Sequence, residues 1–69
     1  MKHHDYDIGI MSSTVIRNNV VTLDLGLDRV GNPVYQVAWF NGRKWRRTYY
    51  RKSREAYATY KMILEMVTD

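Results

Sequence analysis

Cysteine is absent from the 69 residues, so neither a disulfide framework nor a thiolate zinc site can staple the fold. The same absence removes any thiol nucleophile. The three serines, Ser12, Ser13 and Ser53, have only His3 and His4 as imidazole partners, and the four glycines form no glycine-rich phosphate loop. No catalytic residue is therefore assigned, no cofactor is expected, and the chain does not read as an enzyme. His3, His4, Asp5 and Asp7 are metal-capable types, but adjacent histidines near a chain end seldom close a site, and no metal is expected there. No apolar run approaches the length of a membrane span, and the first residues lack the apolar core of a signal peptide. The expectation is a soluble cytoplasmic protein with no membrane partner.

What is present fits one small domain. A chain of this length buries only roughly 60% of its unfolded surface, which leaves little room for an enclosed active site. Its composition, 45% hydrophobic and 26% charged, is that of a globular protein. The net charge of +4 is unevenly spread. Up to Gly42, Lys2, Arg17 and Arg29 stand against Asp5, Asp7, Asp24 and Asp28, a net of −1; beyond it, eight cations stand against Glu55, Glu65 and Asp69, a net of +5. Seven of the eleven Lys and Arg residues fall between Arg43 and Arg54, with three aromatics among them and no acid. A local basic block of this kind is the footprint of a polyanionic partner.

Hydrophobic periodicity organises the rest. Residues 1–19 show no sustained period and read as an N-terminal arm, partly flexible or holding a short extra strand at Thr14–Arg17 before an Asn18-Asn19 turn. From Val20, the run VVTLDLGLD alternates Val21, Leu23, Leu25 and Leu27 against Thr22, Asp24, Gly26 and Asp28, the period-two pattern of a half-buried strand. Gly31, Asn32 and Pro33 stop it. Val34–Phe40 is rich in β-branched and aromatic residues and predicts a second strand. Asn41-Gly42 then signals a two-residue hairpin turn, with Arg43–Tyr50 as the returning strand. Ser53 is a good N-cap for a helix over Arg54–Val67, whose apolar stripe is Ala56, Tyr60, Ile63 and Val67 with Tyr57 and Leu64 alongside. The predicted fold is α+β: residues 20–69 form a three-stranded antiparallel sheet with one C-terminal helix packed on one face, in the order β-β-β-α.

A turn at Asn41-Gly42 pairs Phe40 with Arg43 and so sorts the side chains by face. Val34, Gln36, Ala38, Phe40, Trp45, Arg47 and Tyr49 share one face; Tyr35, Val37, Trp39, Lys44, Arg46 and Thr48 share the other. The first set is assigned to the helix, with Arg47 obliged to snorkel to the rim. The second set is then the open face. A three-residue loop would instead shift the register by one and bring Trp45 and Tyr49 beside Trp39.

The stretch NGRKWRRTYYRKSREAYATYK resembles the second half of the Apetala-type (ethylene-response-factor) DNA-binding domain and its relatives at the N-termini of tyrosine integrases and phage homing endonucleases. Asn41-Gly42-Arg43 matches the family's hairpin, Tyr50 takes the place of its strand-ending Phe, and Glu55-Ala56 with Tyr60 match its helix. The resemblance spans residues 30–67. It implies a three-stranded sheet lying in the DNA major groove, with Trp39, Lys44 and Arg46 as contacting residues. Thr48 departs from the family's usual Gly, Arg47 from a usually apolar position, and Asp24 and Asp28 from positions where the family has arginines.

The functional expectation is a small basic nucleic-acid-binding module of the phage or mobile-element accessory-factor kind, with duplex DNA as partner. Tyr35, Trp39, Arg43, Lys44, Arg46 and Thr48 would form its contact face, and Arg51, Lys52 and Arg54 would hold backbone phosphates near the helix start. Tyr35 and Trp39 on an open sheet would also suit stacking on unpaired bases of single-stranded DNA or RNA. The alternative is a small protein-binding modulator, such as a phage- or plasmid-type inhibitor of a host enzyme. It would dock its Arg- and Trp-rich face on an acidic protein surface, and Asp24 and Asp28 would then cease to be anomalous.

Overall fold

A computed structural model describes residues 9–68, the side chains from Ser12 onward. The chain runs β1 (Gly9–Ile16), β2 (Asn19–Leu27), β3 (Pro33–Phe40), β4 (Trp45–Tyr50) and α1 (Ser53–Thr68). The strands form one antiparallel sheet in the order β1-β2-β3-β4. The sheet is thus four-stranded, and the three-stranded expectation is corrected. What the sequence offered as a short strand at Thr14 extends back to Gly9 and pairs with β2 along most of its length. Serines and a β-bulge between Ile10 and Ser12 interrupt the apolar alternation that would have revealed it. The turn that follows is Arg17-Asn18 rather than Asn18-Asn19, because Ile16 pairs with Asn19. Arg17 adopts φ 57°, the left-handed region that a side chain beyond glycine or asparagine enters at some cost. His3, His4, Asp5 and Asp7 lie outside the described residues.

The helix forms where its stripe predicts, and that stripe meets the sheet. Ala56, Tyr60, Ile63 and Val67 pack with Val21 and Leu23 of β2 and Val37 of β3; Ile16, Tyr35, Trp39, Tyr50 and Leu64 fill the margins. Helix spacing explains the choice, since positions three and four apart share one face. The start differs by one residue from expectation: the Lys52 carbonyl accepts the Ala56 N–H at 3.2 Å, so Lys52 rather than Ser53 occupies the cap position.

Two tyrosine hydroxyls tie the helix layer to the outer strands. Tyr60 shares a 2.7 Å hydrogen bond with Thr14 of β1 across 46 residues of sequence. Tyr50 of β4 shares one of 2.7 Å with Thr59. The Tyr60 ring packs in the core and the Tyr50 ring at its margin, and in each case a satisfied hydroxyl offsets the cost of burying it. Removing the ring and removing only the hydroxyl are separable. Tyr60→Ala is expected to lose about 3 kcal/mol or more by leaving a cavity, and Tyr60→Phe about 1 kcal/mol by leaving Thr14 without its partner. Urea unfolding of the two variants checks the order; equal losses would mean that the ring contributes nothing to packing.

Candidate functional site

The register of β3 and β4 decides which cations and aromatics stand together. Phe40 pairs with Trp45, Trp39 with Arg46, Ala38 with Arg47, Val37 with Thr48, Gln36 with Tyr49 and Tyr35 with Tyr50. The loop is accordingly Asn41–Lys44, centred one residue later than Asn41-Gly42. Asn41 Oδ1 accepts the N–H groups of Arg43 (3.0 Å) and Lys44 (3.2 Å), while the Asn41 N–H donates to the Lys44 carbonyl. Gly42 takes φ 95° at the tip, and a Cβ there would come within 3.3 Å of the Asn18 Cβ. Moving the turn centre by one residue moves the pairing by two, so the two expected face sets keep their strand members, while Lys44 passes from the open-face set into the loop.

Their assignment to the helix does not. Val37 is buried beneath α1, and Tyr35, Trp39 and Tyr50 pack against the same core. Trp39 also donates its indole N–H to Asn19 Oδ1 at 3.0 Å. The expected open-face residues Tyr35, Trp39, Arg46 and Thr48 therefore lie on the helix side. Arg46 and Thr48 remain exposed there because α1 lies mainly over β2 and β3. The face turned away from the helix holds Trp45, 43% exposed, and Tyr49, 56% exposed, with Arg47 between them. Trp45 lies against Phe40 with ring centroids 5.3 Å apart, and the Arg47 guanidinium sits 5.3 Å from the centroid of the Trp45 ring. Val15 of β1, 67% exposed, belongs to the same face. Trp45 and Tyr49 as surface residues were missed; the signal was Arg47, whose charge fits the helix-covered side poorly.

Cations flank this strip at both ends. Arg43 and Lys44 stand in the exposed loop, and Arg51, Lys52 and Arg54 surround the start of α1. The last three are where the sequence placed them. Arg51 is already engaged: its Nη1 donates to Asp28 Oδ2 at 2.7 Å and to the Pro33 carbonyl at 3.2 Å. A shallow depression of about 270 Å³ at the start of α1 is lined by Leu23, Tyr35, Ser53, Arg54 and Tyr57.

The two anomalous aspartates have local duties. Asp28 organises the β2–β3 loop, accepting the N–H groups of Val30 (3.0 Å) and Asn32 (2.9 Å) as well as Arg51. Asp24 does lie on the face away from the helix, yet it is only 7% exposed. Its Oδ2 accepts from Thr22 Oγ1 and from Gln36 Nε2, each at 3.2 Å. It sits within the sheet surface rather than projecting from it.

No protein-family model, curated protein or solved structure matches this chain. No described helix is long and apolar enough to cross a membrane.

The Asn32 N–H first, and then the Arg51 guanidinium, hold the Asp28 carboxyl below its ordinary value of 3.8. A depressed carboxyl stabilises the folded state fully above 3.8, and that contribution disappears as pH falls through the folded-state value beneath it. Asp28→Asn is thus expected to lower the thermal midpoint at neutral pH, with the gap to the natural chain closing below pH 3.8. A gap that persisted unchanged into strong acid would show that the charge of Asp28 plays no part.

Proposed function

We propose that this chain is a small nucleic-acid-binding module acting inside the cell, with duplex DNA as its partner and the helix-free sheet face as its contact surface. One observation carries the reading: an exposed Trp45-Arg47-Tyr49 strip lies between two clusters of cations, with no acid in sequence from Arg43 to Arg54. A two-stranded ribbon fits the major groove, which is about 12 Å wide, and β3–β4 is such a ribbon at the edge of the sheet. Arg47 is the side chain placed to reach a base edge, since guanidinium matches the guanine acceptors. Arg43, Lys44, Lys52 and Arg54 serve the phosphates and set orientation. The contact set thereby shifts from Tyr35, Trp39, Arg46 and Thr48 to Trp45, Arg47 and Tyr49. Asp28 weighs little against phosphate because it is paired with Arg51, and Asp24 lies within the contact face, held by Thr22 and Gln36 rather than projecting from it.

An accessory factor of a phage or mobile element is the role this reading suggests, although the contacts that the Apetala-type resemblance implied included Trp39 and Arg46, which lie on the helix side. The exposed apolar residues Val15, Trp45 and Tyr49 also favour a second reading, in which the same face docks on an acidic protein surface and modulates a host enzyme.

Salt dependence separates the two. Neutralising about five phosphates gives a log–log slope of about −4 to −5 on a generic duplex. Arg47→Glu is expected to weaken duplex binding by about tenfold or more, as loss of a charged contact does, with the thermal midpoint nearly unchanged. Titrations on duplex, single-stranded DNA and RNA read both quantities. No duplex binding at low salt would overturn the proposal and favour the protein partner, whereas preference for single strands would make base stacking on Trp45 and Tyr49 the dominant contact.

A further inference from the structure

β4 is the outer strand of the sheet, and its free edge has a defined polarity. The Asn41 N–H donates to the Lys44 carbonyl, so that pair is a hydrogen-bonded one. Antiparallel ladders alternate bonded and non-bonded pairs. Arg46, Thr48 and Tyr50 therefore fall in phase with Lys44 and face β3 with their backbone groups, while the N–H and C=O groups of Trp45, Arg47 and Tyr49 point outward. Residues 45–49 are all exposed.

The helix stops short of this edge and leaves a groove of about 300 Å³ beside it, lined by Trp39, Arg46, Thr48, Tyr50, Met62 and Met66 over Val37 and Ile63. Met62 and Met66 are more than half exposed, although they sit on the β4 side of α1. Methionine suits such a wall because its flexible thioether adapts to varied apolar side chains.

We infer that the β4 edge accepts an extended acidic segment of a partner protein as a fifth strand. Backbone groups of Trp45, Arg47 and Tyr49 supply the ladder, and alternate side chains of the incoming strand enter the groove against Met62 and Met66. Charge selects the occupant. β4 carries Arg46 on the helix side and Arg47 on the other, with Arg43 and Lys44 in the adjoining loop, and it holds no acid. An incoming strand thus needs carboxylates on both of its faces opposite this pair, because opposite charges across a ladder stabilise and like charges destabilise. Antiparallel self-pairing of β4 centred on Arg46 or Arg47 sets arginine against arginine, which disfavours a second copy of the chain in those registers. Edge cations of this kind block indiscriminate pairing, and here the same cations admit an acidic strand. Strand addition does not require that the chain bind nucleic acid.

The test is a titration of the isotopically labelled full chain with a synthetic peptide of about six residues, a usual strand length. The peptide carries two adjacent glutamates within Val, Leu and Thr. Amide hydrogen exchange is then read residue by residue. Exchange at Trp45, Arg47 and Tyr49 is expected to slow by about tenfold or more, with Arg46 and Thr48, already paired to β3, little changed. N-methylation of the peptide at alternate residues should abolish the effect, as should replacing its glutamates by lysines. The double variant Arg46→Glu, Arg47→Glu should reverse the preference and take up the lysine peptide. Failure of the glutamate peptide to slow those three amides, or equal protection by both peptides, overturns the inference.

Discussion

One helix has to cover four strands, and most of the structure follows from how it does so. The stripe Ala56, Tyr60, Ile63 and Val67 is wide enough to seal Val21, Leu23 and Val37 in the middle of the sheet, but not the outer strands. The margins are closed instead by partly buried side chains, Trp39 and Tyr50 toward β4 and Ile16 toward β1, where the Tyr60 hydroxyl also reaches Thr14. Burial of apolar surface is the main favourable term for a domain this small, so these few contacts hold the fold together. Whatever the helix leaves uncovered is what the molecule can present to a partner.

Much of this arrangement was legible in the residues. Alternation in β2, the aromatic-rich β3 and the stripe on α1 gave three elements, because each is governed by local periodicity. The two sets of side chains on β3 and β4 were also correct, although the turn centre was misplaced by one residue. Which set faces the helix was not legible from alternation alone, since both contain a tryptophan and both contain cations. That choice belongs to tertiary packing, and it went to the set with Val37 and Trp39 rather than the one burdened with Arg47. β1 was underestimated for a different reason. Its serines and bulge hide a period that becomes visible only once β2 is beside it.

The electrostatic picture changed in kind as well. Asp24 and Asp28 looked like charges opposing a polyanion. Hydrogen bonds from Thr22 and Gln36 hold the first within the sheet surface, and the second spends its charge on the β2–β3 loop and Arg51. Of the seven clustered cations, Arg51 is therefore partly structural, and the remainder lie along one edge and its two ends. A run of sequence that seemed uniform is divided among the sheet face, the helix side and the loop.

The strand order β1-β2-β3-β4 carries a kinetic consequence. Every ladder joins sequence neighbours across a short connection: Arg17-Asn18, residues 28–32, and Asn41–Lys44. Loop-closure entropy is small for each hairpin, a topology that favours rapid folding. The bond between Thr14 and Tyr60 stands apart, because it closes only when the first strand and the last element meet. It is a latch between the two ends of the described chain, and its formation marks the completed fold rather than any single hairpin.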